Sequence, residues 1–154
     1  MTANIEQRLR TIEDRIALLD LEAAYAAAWD FGRAEAWAEL FTEGGTFEML
    51  AAGDMQPLRV EGHLALRGFC EKINEEWQGL HYMHPPRLEI SGDEASSLVF
   101  FEFRHCMKDK SGHVRQGTTA GYYRTRYVRT PAGWRIASRV EKAVFESLAH
   151  AYGL

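Results

Sequence analysis

Two polar residues, Tyr25 and Asp30, border the uncharged run Tyr25–Trp29 near the end of a helical segment. Burying such groups costs free energy unless they find partners. In a regular helix their side chains would be about 140° apart, yet both can border one cavity if the helix ends near Asp30. The structural alternative is a core tyrosine with a satisfied hydroxyl and an aspartate that caps the next helix.

Histidines at three positions are further candidates for acid–base chemistry. His81 and His84 lie three residues apart in a strand-like segment, so they should occupy opposite sheet faces, with only one pointing inward. His105 follows Phe101 and Phe103 in an alternating run, which predicts that it also faces inward. An inward histidine is either a hydrogen-bonded core residue or a member of an active site.

The last strand-like segment carries a further candidate, Arg139. Strict alternation from Trp134 places Arg139 on the face opposite Trp134 and Ile136. We therefore expect it to face solvent, unless a β-bulge shifts the alternation.

No known cofactor motif accompanies these residues. The sequence has no Gly-rich phosphate loop, dinucleotide fingerprint, zinc-type histidine pair on a helix or nucleophile elbow. We therefore expect no cofactor and no metal, and chemistry by side chains alone. Tyr, Asp and His together suit proton transfer, because histidine titrates near neutral pH, a carboxylate orients it, and a phenol can donate to oxygen.

The composition is that of a single soluble domain. The chain has 154 residues, 46% of them hydrophobic and 26% charged, which predicts one globular unit. A net charge of -4 without a basic patch argues against nucleic acid as a partner. The polar N-terminus and the absence of a long apolar run predict a cytoplasmic protein without a membrane partner. The two cysteines, Cys70 and Cys106, are expected to be buried thiols.

Helical patterns precede strand patterns along the chain. Residues 5–31 are predicted to form a helix with an apolar stripe at Ile12, Ile16, Leu19 and Ala23. Further helices are predicted over 34–41 and 62–77. Strands are predicted over 46–50, 58–60, 81–90 with a break at two prolines, 95–107, 114–129 and 134–145. This order predicts an α+β fold, with a curved, mainly antiparallel sheet closed at one end by the helices into a cone around a cavity.

These residues, together with the segments AWAELFTEGGTFE and GYYRTRYVRTPAGWRIASR, resemble the SnoaL-like branch of the nuclear transport factor 2-like superfamily. Within it, the chain resembles most the group of scytalone dehydratase, bile acid 7α-dehydratase and hexachlorocyclohexane dehydrochlorinase. The resemblance implies that Asp30 and His81 form the Asp–His dyad that removes a proton, assisted by Tyr25. It implies active-site roles for His105 and Arg139 as well.

The resemblance therefore implies a cofactor-independent lyase that removes water from a hydroxylated hydrophobic small molecule, aromatic or polycyclic. One alternative is retro-aldol C–C cleavage that releases formaldehyde from a lignin-derived diaryl compound. Others are an isomerase similar to ketosteroid isomerase and a non-catalytic binding module. The side chains expected to bind the substrate are Trp29, Met83, Phe103 and Tyr123.

Apolar residues in the last strand predict self-association. These residues exceed what one helix layer can cover, so a homodimer or homotrimer packed through the sheet is expected. They are Val140, Val144, Phe145 and Leu148.

Overall fold

The computed structural model describes residues 4–53, 56–108 and 111–150, with the side chains of the last strand described as far as residue 144 and at Ser147. Within these residues the chain forms three helices and seven strands. The helices lie in the first half of the chain and most of the strands in the second, which confirms the α+β prediction. The elements are α1 (Ile5–Asp30), α2 (Ala34–Glu39), β1 (Phe41–Met49), β2 (Leu58–Glu61), α3 (His63–Glu76), β3 (Trp77–Met83), β4 (Arg87–Ser91), β5 (Glu94–Lys108), β6 (Val114–Thr130) and β7 (Gly133–His150).

The strands form one curved, mixed sheet. Their spatial order is β2-β1-β7-β6-β5-β3, and β4 pairs with the beginning of β5. Neighbouring strands run antiparallel except for β1 and β7, which are parallel. The helices pack on the inner side of this sheet and close one end of the cone. The predicted break at Pro85 and Pro86 separates β3 from β4, since proline cannot donate to a sheet ladder.

The first helix is bounded by particular residues. The side chain of Asn4 caps its N-terminus by accepting a backbone N–H at 2.9 Å. At the other end Gly32 adopts a φ of 64°, and the N–H of Arg33 donates to the carbonyl of Ala28 at 2.8 Å. This left-handed turn ends the helix directly after Asp30. The Asp30 side chain therefore lies at the end of α1 beside the sheet.

The apolar stripe predicted on α1 is present, but it does not face the core. Ile12 and Ile16 are 54% and 53% exposed. The buried face includes the polar residues Asp14 and Glu22, both of which have partners inside the fold. These polar residues interrupt the apolar periodicity of the buried face. The exposed stripe is therefore the more regular apolar pattern in the sequence. The buried residues of α1 are Asp14, Leu18, Leu21, Glu22, Tyr25, Ala28 and Trp29.

A β-bulge in β7 overturns the expectation that Arg139 faces solvent. Ile136 pairs with Tyr127 and Ser138 pairs with Arg126, which leaves Ala137 as an extra residue. The extra residue reverses the alternation, so that Trp134 and Ile136 before it and Arg139 after it all point inward. Arg139 is fully buried, with an exposed fraction of 0%.

Three smaller features complete the comparison with the sequence. Cys70 is buried as expected, but Cys106 is exposed because it lies on the outer face of β5. Val144 is 66% exposed, whereas the side chains of Phe145 and Leu148 lie outside the described residues. In the part of the chain described here, no helix is long and apolar enough to cross a membrane.

Candidate active site

The side chains of Asp30 and His81 are in direct contact, as the sequence predicts. His81 Nδ1 lies 2.6 Å from Asp30 Oδ1, and the backbone N–H of His81 donates to Oδ2 at 2.8 Å. Both side chains are largely buried, with exposed fractions of 5% and 8%. One carboxylate therefore fixes both the strand that carries the histidine and the rotation of its ring.

The contact also sets the proton positions on the imidazole. The Asp30 carboxylate accepts from Nδ1–H, so the neutral ring presents the lone pair of Nε2 on its other side. The His81 ring is held against Phe103, with ring centroids 4.6 Å apart. Nε2 is thus available as a proton acceptor, and Asp30 would stabilise the imidazolium formed.

An apolar cavity of about 170 Å³ lies in front of His81. It is enclosed by helices α1 and α3 on one side and by five strands of the sheet on the other. His81, Tyr25, Tyr123, Thr119 and Glu141 supply its polar groups. Its apolar lining consists of Trp29, Phe47, Met49, Phe69, Ile73, Trp77, Phe101 and Phe103.

The Tyr123 hydroxyl lies beside His81 in the cavity. Its oxygen is 3.3 Å from His81 Nε2, and the Glu141 carboxyl lines the same cavity. Burial raises the pKa of Tyr123 well above its ordinary value, and the charges of Glu141 and Tyr25 add to this effect. Tyr123 is therefore a neutral hydroxyl that can both donate and accept.

Tyr25 lies beside Tyr123, with ring centroids 5.8 Å apart and only 1% of its surface exposed. Burial raises the pKa of Tyr25 above its ordinary value, although the nearby Arg139 lowers it in part. Both tyrosines consequently remain protonated at neutral pH. They can donate hydrogen bonds to an oxygen atom bound in the cavity.

Glu141 was not predicted from the sequence. It lies two residues after Arg139, so the bulge that turns Arg139 inward also turns Glu141 toward the cavity. Burial raises its pKa from 4.5 to about 7, against the opposing effects of Arg139 and Tyr123. A carboxyl with this pKa can hold a proton near neutral pH and release it to a substrate. Local alternation gives no signal for Glu141, because the face on which it lies depends on the bulge.

Arg139 lies behind the tyrosines and does not line the cavity. Its guanidinium carbon is 3.9 Å from the centroid of the Tyr25 ring and 4.9 Å from that of Tyr123. It forms a buried ion pair with Glu22 and donates to the hydroxyl of Thr125 at 3.0 Å. Arg139 supports the floor of the cavity.

Glu22 is a second residue that sequence reasoning missed. Its Oε1 accepts hydrogen bonds from Arg139 and from the Tyr127 hydroxyl, which lies 2.6 Å from Ser97 Oγ. Glu22 Oε2 and Arg139 Nη1 are buried and have no partner among the described residues. A glutamate in the middle of a helix pattern would suggest a solvated side chain, and only the tertiary fold reveals its buried partners.

The remaining predicted residues have different positions. His105 points inward but lies outside the cavity lining, against Trp77 with ring centroids 4.6 Å apart, and burial lowers its pKa. His84 is exposed, which confirms that it and His81 occupy opposite faces. Trp29, Phe103 and Tyr123 line the cavity, whereas Met83 packs against the hydrophobic core.

Metal ligands are not clustered in the described residues. No group of three or more His, Cys, Asp or Glu side chains there could hold a metal ion. The Asp30–His81 pair supplies two such groups, and both are already engaged with each other.

A family model matches most of the chain. The model of the SnoaL-like domain family matches residues 10–140, which include the dyad, both tyrosines and Arg139. The chain belongs to the SnoaL-like domain family. No protein with a curated description matches this SnoaL-like chain in sequence.

Solved structures show the same fold. An NTF2-like protein with a cystatin-like fold from Novosphingobium aromaticivorans is 26% identical, with a TM-score of 0.70, covering 92% of this chain and 88% of its own. A provisionally named scytalone dehydratase from the same organism is 17% identical, with a TM-score of 0.74 and coverages of 97% and 95%. Hexachlorocyclohexane dehydrochlorinase LinA-type3 from Novosphingobium barchaimii is 15% identical, with a TM-score of 0.76 and 96% of each chain covered. These likenesses establish the SnoaL-like domain as an NTF2-like, cystatin-like fold.

Proposed function

We propose that this protein is a cofactor-independent lyase that removes water from a hydroxylated aromatic small molecule. The observation that carries the proposal is the orientation of His81. Asp30 holds its Nδ1 at 2.6 Å, and Nε2 faces an apolar cavity beside a tyrosine hydroxyl. A neutral imidazole oriented by a carboxylate is suited to remove a proton from a bound molecule.

The elimination would begin at His81 Nε2. This nitrogen takes a proton from the carbon next to the one that bears the hydroxyl, and Asp30 stabilises the imidazolium that forms. The electron pair of the broken C–H bond becomes the new double bond, and the C–O bond breaks with its electrons on oxygen. In an apolar cavity the charge–charge attraction between Asp30 and the imidazolium is stronger than in water.

The departing oxygen needs a proton, which we assign to Glu141. A carboxyl with a pKa of about 7 is partly protonated near neutral pH, and it lines the same cavity as His81. Its proton converts the leaving hydroxide to water. The Tyr25 and Tyr123 hydroxyls donate hydrogen bonds to the oxygen as negative charge develops.

Tyr123 also offers a route for resetting the site. After the reaction His81 carries an extra proton and Glu141 has lost one. The Tyr123 hydroxyl is 3.3 Å from His81 Nε2, and Glu141 lines the same cavity. It would accept a proton from the imidazolium and pass its own toward the carboxylate, which returns both groups to their starting states.

The cavity volume favours a substrate with one ring. A dry cavity of about 150 Å³ is enough to bind benzene, and the cavity here is about 170 Å³. Edges and faces of aromatic side chains such as Trp29 and Phe103 provide its walls, which suits an aromatic ring. A fused polycyclic substrate would have to extend through the cavity mouth.

The names of two structural neighbours support elimination chemistry. One is a dehydrochlorinase and the other a provisionally named dehydratase, and both names describe loss of a small group from adjacent atoms. Their identities of 17% and 15% make this support for the reaction class only. The C–C lyase alternative uses the same base on an alcohol O–H, with release of formaldehyde.

A second candidate, double-bond isomerisation, is favoured by Glu141 itself. A carboxyl with a raised pKa beside two neutral tyrosines can move a proton between two carbons while the hydroxyls hold an enolate oxygen. This reaction would leave the mass of the substrate unchanged.

Proton exchange and product mass together test these proposals. We would incubate hydroxylated aromatic compounds with the protein in deuterated water, then follow C–H exchange by NMR and products by mass spectrometry. Loss of one water supports the dehydratase, release of formaldehyde supports the C–C lyase, and deuterium incorporation without loss of any group supports the isomerase. Equal behaviour of the wild type, of His81→Gln and of Glu141→Gln with every compound would contradict all three.

A further inference from the structure

The outward face of α1 carries a continuous apolar stripe. Its members follow one another at spacings of four, three, four and three residues, which is the heptad repeat of helices that pair with one another. They are Ile5, Leu9, Ile12, Ile16 and Leu19, with exposed fractions of 73%, 53%, 54%, 53% and 38%. A run of this length on a soluble domain indicates an interaction surface.

The stripe lies on the side of α1 directly opposite the fold. At about 100° per residue, Ile16 is about 200° from both Asp14 and Leu18, which are buried against the sheet. Arg10 is also turned toward the fold, 3.5 Å from Asp93 in the turn after β4. A partner helix can therefore approach the stripe without meeting the rest of the protein.

Charged residues border the stripe in two rows of opposite sign. Arg8 and Arg15 flank one side, and Glu6, Glu13 and Asp20 flank the other. In heptad terms, the stripe occupies the a and d positions, the arginines occupy g and the acidic residues occupy e. Within the described part of the chain, none of these five takes part in an ion pair, so their charges are available to a partner.

We propose that this face binds a second copy of the same chain, with the two α1 helices parallel. In a parallel pair each g residue faces the e residue of the next heptad in the other helix. Arg8 then faces Glu13 of the second copy, and Arg15 faces its Asp20, on both sides of the seam. In an antiparallel pair, arginine would face arginine and acid would face acid, which charge repulsion opposes.

This surface differs from the sheet face that the sequence suggested for self-association. The stripe occupies about the first four turns of α1, whereas the candidate active site begins at Tyr25 near the end of the helix. The residues of the stripe do not line the cavity, so pairing through the stripe does not depend on the proposed reaction. It would also stabilise the helix that carries Tyr25 and Asp30.

Sedimentation of the full chain over a range of concentrations provides the first test. The wild type should approach twice the chain mass of 17.5 kDa. Ile12→Glu with Ile16→Glu should raise the dissociation constant at least about tenfold, because two apolar seam residues become charged. The control, Thr11→Glu with Ala17→Glu, adds the same charge to exposed positions of the same helix and should leave association unchanged.

Charge exchange and crosslinking test the parallel arrangement. Arg8→Glu with Arg15→Glu and Glu13→Arg with Asp20→Arg should each fail to self-associate, and an equal mixture should form a heterodimer. In a Cys106→Ser background, Ile5→Cys should form a disulfide between copies, because equivalent d positions meet only in a parallel pair. Crosslinking of Ile5→Cys to Ile16→Cys would instead show the antiparallel pair, in which d positions face a positions, and would overturn the proposal.

Other outcomes would overturn it entirely. A wild type that sediments as a monomer at every concentration would contradict self-pairing. If that monomer floats with vesicles of anionic phospholipid, the stripe binds a membrane surface instead. An oligomer that the Ile12→Glu and Ile16→Glu changes leave intact would assign the interface to another face, such as the sheet.

Discussion

The Tyr123 hydroxyl and His81 Nε2 face each other at 3.3 Å inside the cavity. This separation is longer than an ordinary hydrogen bond to a hydroxyl oxygen, which favours exchange of the contact for one with a bound molecule. The two atoms come from different strands, β6 and β3, which are separated by β5 in the sheet. The curvature of the sheet brings them together in the cavity that Glu141 also lines.

The dyad should be essential for turnover. His81→Gln keeps an N–H for Asp30 but cannot accept a proton, and it should lower kcat by about 10²–10⁴-fold. Asp30→Asn should have a similar effect, because an amide cannot stabilise the imidazolium. His84→Ala is the matched control, since this histidine is exposed on the other face, and it should be nearly silent. Steady-state kinetics on a substrate found in the screen measure all three, and an inactive His84→Ala with an active His81→Gln would contradict the assignment.

Activity should depend on the protonation of Glu141. Because burial raises the pKa of Glu141 to about 7, the acid form required for proton donation is lost as the pH rises through this value. We therefore expect kcat to fall above about pH 7 in the wild type. Glu141→Gln should lower kcat by about 10²-fold and abolish this decline. A pH–rate profile that keeps the same alkaline decline in Glu141→Gln would exclude Glu141 as the acid.

The same carboxyl should make the folded state less stable at high pH. Between pH 4.5 and about 7 the folded chain holds a proton on Glu141 that the unfolded chain has released. The contribution of Glu141 to the free energy of unfolding is therefore present below this range and is lost as the pH rises through it. The loss amounts to about 3 kcal/mol. Urea unfolding at about pH 5 and pH 8 gives the difference in free energy of unfolding between the wild type and Glu141→Gln. This difference should change between the two pH values by the stated loss, and a pH-independent difference would contradict the prediction.

The buried ion pair between Arg139 and Glu22 should be costly to break. Arg139→Met leaves the Glu22 carboxylate buried without its cation and should lower the free energy of unfolding by about 3–5 kcal/mol. Arg139→Met with Glu22→Leu should recover part of this loss, because neither charge remains. The control is Arg67→Met, which breaks an ion pair with Glu71 that is about half exposed, and it should cost less than about 1 kcal/mol. Urea unfolding compares the three, and equal losses for Arg139→Met and Arg67→Met would contradict the buried pair.

The sequence predicts the parts of this fold that depend on local patterns. The preferences of a few adjacent residues explain three features of the fold. They are the termination of α1 before Gly32, the break at Pro85 and Pro86, and the opposite faces of His81 and His84. Apolar alternation likewise identifies the long strands β5 and β6. These features do not require knowledge of which elements pack together.

The features that the sequence could not predict depend on contacts between distant elements. The inward direction of Arg139 and Glu141 follows from one extra residue, Ala137, whose position is set by pairing between β6 and β7. Glu22 is buried because Arg139 and Tyr127 meet it from the sheet. No local pattern signals either event, so the acidic group proposed to donate the proton was missed although the base was found.

The two-point attachment of Asp30 to His81 separates chemistry from specificity within the fold. The carboxylate holds both the backbone and the ring of the histidine, so base and orienting group keep their geometry as one unit on α1 and β3. Much of the apolar wall belongs to other elements, with Phe47 and Met49 on β1 and Phe69 and Ile73 on α3. Mutation of these walls can therefore reshape the cavity for a different ring without disturbing the proposed proton transfer. With the proposed reaction, a lineage with this arrangement can change its substrate by small steps.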